Sequence, residues 1–429
     1  MIYDFQKKTI DFIANNERVL CANQMGTGKT LCAIKTFANR KVLVVVPTSL
    51  KLNWYYEILK WGDCKYKIFI NDLTVKITKQ LGVYAINDCD IAIISYMSLK
   101  KYEKYIKMYD YIVCDEAHII KNIRAGVTKF ILPYIMNANK VLFLTGTPIK
   151  NKIEDLFVFY KVCFNSKIKY WEFCNKFANY VEKFFGTLKI RSFEGLKNEE
   201  ELNRHMRYFY IRFENRDIEL PQLVRLESHD FASVADAKII KEMLADIELQ
   251  AVLTERDIFA LANHTTLRKA ISVAKTNISI KKIEEIRENS ENKEQIIFFS
   301  CFKNVCERVA EYCAKNNITY GVITGDITTE NRNKIVKEFQ NGELDIIIGT
   351  IGALSVGFTL TNANHMIIND LSYVPSDNLQ AEKRHHRIGA DKTKYVHIIN
   401  ITVPNCRQID KEINSILIEK MKIIDKVIK

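Results

Sequence analysis

The sequence predicts an α/β protein built on two parallel β-sheets, each covered by helices on both faces, with helical insertions between them. Two sets of short, continuously apolar runs carry this reading, because strands buried on both faces read as unbroken hydrophobic stretches. The first set is Val19 to Ala22, Val42 to Val46, Ile91 to Ile94, Tyr111 to Cys114 and Val141 to Leu144. The second is Ile296 to Ser300, Tyr320 to Ile323, Ile346 to Ile348, Met366 to Ile368 and Tyr395 to Ile399. Helical patterns lie between the runs of each set. A length of 429 residues also exceeds what one hydrophobic core usually serves, which favours two units.

Between the sets, from about Lys150 to Ser290, β-rich runs thin out and helix-compatible segments take over: Ile153 to Phe164, Ala235 to Leu253 and Leu267 to Ile286. Leu220-Pro221 interrupts this stretch, since proline disfavours helix continuation and lacks a backbone donor. The change of unit is placed shortly after it, giving units 1–225 and 226–429. With 15 Gly and 6 Pro the chain has little material for long flexible linkers.

Lys and Arg number 63 against 51 Asp and Glu, a formal charge of +12 that attracts polyanions such as nucleic acid. The 11 cysteines form no CxxC pair or Cys/His cluster, and Cys21, Cys114 and Cys301 sit in apolar runs, as buried thiols of a reducing compartment do. Neither zinc nor disulfides are expected. No apolar stretch approaches the ~20 residues that cross a bilayer, and the first residues lack a signal-peptide pattern. The expectation is a cytoplasmic protein without a membrane partner, and the Lys/Ile/Asn-heavy composition fits a bacterial or viral source.

The run Val19 to Ala22 leads into Asn23-Gln24-Met25-Gly26-Thr27-Gly28-Lys29-Thr30 and then a helical segment, the strand, loop and helix order of a phosphate cradle. Glycines let the N–H groups of such a loop converge on phosphates, Lys29 supplies charge, and the Thr30 hydroxyl suits Mg²⁺. Asn23 stands where the strict pattern has its first glycine. Asp115-Glu116 ends the run Tyr111 to Cys114, where carboxylates reach a metal at the carboxyl edge of a parallel sheet. Asp115 is the candidate Mg²⁺ ligand, and Glu116 the group that orients and deprotonates an attacking water. Two carboxylates capping a helix would explain each singly, though not their company with the Gly-Lys-Thr loop.

Phosphoryl transfer also needs charge neutralisation, for which Arg384 and Arg387 within Gln380 to Gly389 are candidates. Their spacing of three puts them on one face if the segment is helical. A solvated basic face would account for the same cluster.

Taken together, these residues resemble superfamily 2 helicases, and specifically the SWI/SNF-type helicase-like ATPases that translocate on duplex DNA. Phe5-Gln6 resembles the family's adenine-reading segment, and Val45 to Trp54 its proline, serine-leucine, asparagine-tryptophan segment. Ile94-Ser95-Tyr96 also has a counterpart. Asp115-Glu116-Ala117-His118-Ile119-Ile120-Lys121-Asn122 is similar to the DEAH box of this subgroup, and Leu144-Thr145-Gly146-Thr147-Pro148 to the coupling motif. Ile297 to Ser300, Thr324-Gly325, Gly357-Phe358-Thr359-Leu360-Thr361 and Gln380 to Gly389 resemble the second-half motifs, and the likeness extends to Ile409 to Ile413. Leu267-Arg268-Lys269-Ala270 with Ala274-Lys275 looks most like the annealing-helicase branch. Because Gln6 already belongs to the motor, a minimal motor without accessory modules is expected.

The resemblance implies two tandem RecA-like lobes using ATP and Mg²⁺. It places Gln6, Met25, Gly26, Thr27, Gly28, Lys29, Thr30 and Gly357 at the nucleotide, and Thr30 and Asp115 at the metal. Catalysis falls to Lys29, Asp115, Glu116, Gln380, Arg384 and Arg387, with ATP expected in the cleft between the lobes. Thr145 and Thr147 would couple hydrolysis to movement. Double-stranded DNA, with single-stranded DNA or RNA as alternatives, would be held through its phosphates by Thr48, Ser49, Lys121, Asn122, Thr324, Gly325 and Thr350. A monomeric motor is expected, with protein partners left open. Trp54 is read as a packed aromatic rather than a base stacker.

Departures from the family pattern stand at Asn23-Gln24, which replaces an acidic pair, and at Arg212-Phe213, which replaces a pair of arginines. Lys383 stands in place of aspartate and Ala390 in place of the closing glutamine. None removes a phosphate, metal or water-activating group. Two other readings remain: a strand-separating DNA or RNA helicase, and a nucleic-acid-binding regulator with a degenerate ATPase fold.

Overall fold

A computed structural model describes residues 2–38, 40–63, 65–73, 81–149, 152–185, 188–213, 221–254, 265–289, 294–354, 358–387 and 392–403, together with Thr78, Ala390 and Ser415. Helix α1 (Asp4–Asn15) precedes β1 (Arg18–Cys21), α2 (Lys29–Ile34), β2 (Val42–Val46), α3 (Lys51–Trp61), β3 (Ile68–Ile70) and β4 (Ile91–Ser95). Then come α4 (Glu103–Ile106), β5 (Tyr111–Asp115), α5 (Gly126–Asn137), β6 (Lys140–Leu144), α6 (Phe157–Cys163) and α7 (Tyr170–Phe177). The middle of the chain forms β7 (Asn179–Phe185), β8 (Leu188–Glu194), α8 (Glu199–Met206), β9 (Tyr210–Ile211), β10 (Leu223–Phe231), α9 (Val234–Thr254) and α10 (Thr265–Asn289). The last part alternates β11 (Ile296–Ser300), α11 (Lys303–Lys315), β12 (Tyr320–Ile323), α12 (Thr329–Gln340), β13 (Ile346–Thr350), α13 (Ile351–Leu354), β14 (His365–Ile368), α14 (Pro375–Glu382) and β15 (Lys394–Thr402).

The described residues before 182 and from 193 to 213 make one unit, and those from 182 to 192 and from 221 onward the other. The first contains a parallel sheet in the order β3-β4-β2-β5-β6-β1-β9. Its central strands are buried along their whole length, as Val-, Ile- and Leu-rich segments covered on both faces must be. Helix α1 buries Phe5, Thr9 and Ile13, one turn apart, and α3 buries Lys51, Trp54, Tyr55 and Ile58. The ammonium of Lys140, 5% exposed, donates to the carbonyls of Ile13, Ala14 and Asn16 and so closes the end of α1.

The second unit has a parallel sheet in the order β10-β15-β14-β11-β13-β12. Alternation along its strands splits the core in two. Ile296, Phe298, Ile346, Ile348 and Ile367 pack with α10 and α11, while Ile297, Phe299, Ile347, Met366 and Ile368 pack with Phe339 and Leu354 of α12 and α13. Helices therefore cover both faces, as the apolar runs predict.

Every apolar run singled out in the sequence is a strand, and the three middle segments are helical. The middle stretch also holds strands that its helical reading missed. β7 and β8 pair in a sheet of their own, and β10 is an edge strand whose Arg225, Glu227 and His229 interrupt any apolar run. Polar edge strands resist further pairing, and the same polarity hides them from a search for buried runs. No helix among the described residues is long and apolar enough to cross a membrane.

Candidate nucleotide site

All strands of the first sheet being parallel, their following loops emerge at one edge. β1 leads to Gly26–Lys29, β5 ends on Asp115, and β6, paired with both, leads to Thr145-Gly146-Thr147. The motifs after β1, β6 and β5 are therefore neighbours at the carboxyl edge, where open α/β sheets bind ligands. β2, beside β5, leads into the 3₁₀ turn Thr48–Leu50.

Gly26 and Gly28 both stand at φ +81°, a region side chains avoid. A Cβ on Gly28 would come within 2.5 Å of Gln6 Nε2. That amide donates to the Thr27 carbonyl at 2.9 Å, so Gln6, 4% exposed, braces the loop from α1. Thr27 Oγ1 donates to the Gln24 carbonyl at 2.6 Å. Met25 is buried against Gly146, where a Cβ would meet Met25 Cγ at 2.7 Å. Lys29 opens α2 and donates to the carbonyls of Asn23 (2.8 Å) and Gln24 (3.1 Å), with Thr30 next on the helix. Burial pulls the Lys29 ammonium below its ordinary range, and the charge of Glu116 partly holds it up.

Asp115 is 8% exposed. Its Oδ2 accepts the indole N–H of Trp54 at 2.7 Å, its Oδ1 accepts the Glu116 N–H at 2.9 Å, and its carbonyl accepts the Tyr96 hydroxyl at 2.9 Å. Burial, and next the charge of Glu116, push the Asp115 carboxyl above the usual carboxylate range. Glu116 adopts φ 47°, ψ 48°, a left-handed conformation rare for a non-glycine residue. Its Oε2 lies 3.2 Å from His118 Nδ1, which in turn lies 3.4 Å from Thr145 Oγ1. That hydroxyl accepts the Thr147 N–H at 3.1 Å, which links the two loops atom by atom.

The oxygen set of Thr30 and Asp115 suits a hard cation such as Mg²⁺. The Thr147 hydroxyl is buried without a hydrogen-bond partner among the described residues, as a group awaiting a ligand or water would be. The residues present thus fit a magnesium nucleotide.

Among the candidate polynucleotide contacts, Thr48 is exposed and Ser49 half-buried. Lys121 pairs with Asp155 at 2.8 Å, and Asn122 is exposed and caps its own turn by accepting the Arg124 N–H. In the second unit Thr324-Gly325 follows β12 and Thr350 ends β13, so these positions share the carboxyl edge of paired strands. Arg332 donates to the carbonyls of both Thr324 and Gly325 at 3.0 Å.

The helix that would align Arg384 with Arg387 stops at Glu382, and both arginines lie in the turn that follows α14. Arg384, 8% exposed, donates to the carbonyls of Gln380 (3.1 Å) and Phe358 (3.0 Å). Arg387 donates to Thr359 Oγ1 at 2.9 Å. Both therefore brace the segment that begins at Phe358. Gln380 Nε2 is buried without a hydrogen-bond partner among the described residues. Gly357 and Ile409 to Ile413 lie outside the described residues.

Residues 5–229 match the family model for the SNF2-related domain, and residues 278–389 that for the helicase conserved C-terminal domain. The chain belongs to the SNF2-related family. It is 27% identical over 417 residues to the DNA annealing helicase and endonuclease ZRANB3 of Bos taurus, covering 92% of this chain and 38% of that protein. It is 29% identical over 431 residues to an uncharacterized ATP-dependent helicase of Mycoplasma genitalium, covering 92% of this chain and 39% of that one. The chain thus spans about two fifths of the length of these curated relatives. A solved SWI2/SNF2 ATPase core of Sulfolobus solfataricus in complex with double-stranded DNA matches at 20% identity and a TM-score of 0.45, over 100% of this chain and 97% of that one.

Two departures from the SNF2-related pattern meet in space. Asn23 Oδ1 accepts the Phe213 N–H at 2.9 Å, its Nδ2 donates to Thr9 Oγ1 at 2.9 Å, and the Phe213 ring packs on Phe5 at 5.8 Å. Neutral and aromatic groups join α1, the loop and the end of β9 where the pattern has acidic and basic pairs. Sequence reasoning missed the Trp54 contact with Asp115. Its only trace was a tryptophan one helical turn beyond the Thr48 segment.

Proposed function

We propose that this chain is an ATP-hydrolysing motor that acts on double-stranded DNA, translocating on it or remodelling and annealing it. The observation that carries this reading is the shared carboxyl edge of β1, β6 and β5. It sets Lys29, Thr145-Thr147 and Asp115-Glu116 side by side, with the exposed Thr48 in the turn after the neighbouring β2. Membership of the SNF2-related family, the similarity to a DNA annealing helicase of Bos taurus and the net charge of +12 agree with it.

In this reading the loop N–H groups and Lys29 bind the phosphates, and Thr30 and Asp115 hold Mg²⁺. When bound, the cation neutralises phosphate charge. Glu116, aimed by its left-handed backbone, takes a proton from the attacking water, and His118 keeps that carboxylate in register with Thr145. Arg384 and Arg387 supply positive charge needed for turnover. Thr48, Ser49, Thr324 and Thr350 meet DNA phosphates without reading bases.

Phosphate release by the purified chain, measured with duplex DNA, single-stranded DNA, RNA and no polymer, tests this directly. Stimulation greatest with duplex DNA, abolished by Glu116→Gln, is the expected result. Triplex displacement without fork unwinding is expected beside it; efficient unwinding would favour a strand-separating helicase. No polymer-stimulated release, with Glu116→Gln indistinguishable from the natural chain, would sink the enzymatic reading.

A further inference from the structure

The Trp54 indole is fully buried and stacks on Phe37 with ring centres 6.4 Å apart and planes 9° apart. Packing of that kind asks only for an aromatic ring. What it does not ask for is an N–H aimed at a carboxylate, yet the indole donates to Asp115 Oδ2 at 2.7 Å across a separation of 61 residues. The other hold on the carboxylate, the Glu116 N–H on Oδ1, comes from the adjoining peptide. Trp54 is therefore the side chain that fixes rotation of the carboxyl group.

We propose that Trp54 is a positioning residue for the divalent cation. Its N–H occupies one lone pair of Oδ2, locks the carboxylate plane and leaves the remaining lone pairs to the metal. The inference rests on the reading of Asp115 as a cation ligand. Trp54 also sits on α3, which continues without a break from the turn Thr48–Leu50.

The test replaces Trp54 by benzothienylalanine, which exchanges the N–H for sulfur at nearly constant shape, and in parallel by Trp54→Phe. Binding of a fluorescent ADP analogue is measured in EDTA and across a Mg²⁺ titration, with melting curves alongside. Affinity in EDTA should stay unchanged, while the Mg²⁺ midpoint rises roughly tenfold, the effect of losing one hydrogen bond to a charged group. A midpoint equal to that of the natural chain overturns the role of Trp54, as does an equal loss in EDTA and in Mg²⁺. If the natural chain itself binds no more tightly with Mg²⁺, the reading of Asp115 falls first and this inference with it.

A second measurement leaves residue 54 unaltered. Of the 3 tryptophans, Trp54 is assigned in an indole-¹⁵N spectrum by substituting Trp61 and Trp171. Its N–H resonance should move when Mg²⁺ joins ADP. A resonance that stays put overturns the proposal.

Discussion

At Gly28 a backbone angle of +81° and a neighbouring amide combine to exclude any side chain. Gly28→Ala has to pay for a left-handed alanine and push Gln6 off the Thr27 carbonyl. It should cost about 1–3 kcal/mol in denaturant melts and abolish nucleotide binding. Retained binding would show that the loop needs neither the conformation nor the Gln6 brace. The loop itself was legible because its chemistry is local: a strand, two glycines, a lysine and a helix follow one another in the chain. The brace was not, since nothing in the sequence near Gln6 says that its amide meets Thr27. Trp54 is a sharper case. Burial was readable from its aromatic character, but the direction of its N–H depends on how α3 lies against β5.

Elements are held at their ends by polar clusters that apolar patterning does not register. β3 ends at Asn71-Asp72, where Lys51 donates to the Asn71 carbonyl and Asn71 Oδ1 accepts the Ser95 N–H at the end of β4. Asp72 accepts from Lys101 and Ser98 at 2.7 Å each, and these bonds hold its carboxyl down at about 2. Its φ of 51° is one that asparagine tolerates, so Asp72→Asn isolates the charge. The loss should be about 1 kcal/mol or less, after allowing for solvent screening of a 38% exposed side chain. A folded value below the ordinary 3.8 means this stability is present above pH 4 and lost as pH falls toward 2, so natural chain and variant should converge there in acid melts.

The turn after α14 carries a burial penalty where Asp72 carries a gain, with stability again rising with pH. Glu382 takes a bidentate bond from Arg225 on β10, while burial pulls Lys383 down to about 8 from 10.5. The unfolded chain holds that proton more tightly, so stability should rise as pH goes from about 8 to 10.5, and Lys383→Met should flatten the rise. The sequence could mark Lys383 as a departure; only the fold shows that it is buried 3.1 Å from His386 Nδ1.

For the whole molecule, the loop proposed to bind the nucleotide phosphates and the two arginines proposed to promote turnover fall in different units. The division was partly readable, because two sets of apolar runs flank a stretch without them, and the parallel order of each sheet then collects distant motifs on one edge. It follows that binding and hydrolysis should separate by mutation. Lys29→Ala removes charge from the loop and should abolish nucleotide binding. Arg387→Ala leaves the first unit intact, so the affinity for a fluorescent nucleotide should stay within about threefold while phosphate release falls by about 10³ or more, the effect of losing a charge-stabilising arginine. Arg384→Ala should lose turnover too, but at a further cost of about 1–3 kcal/mol in melts, because it leaves the Phe358 carbonyl without its donor. Arg387 bonds an adaptable, exposed hydroxyl, and its removal should move the melt less than that of Arg384. If Arg387→Ala weakens binding as much as hydrolysis, its charge serves the ground state and the assignment to turnover fails.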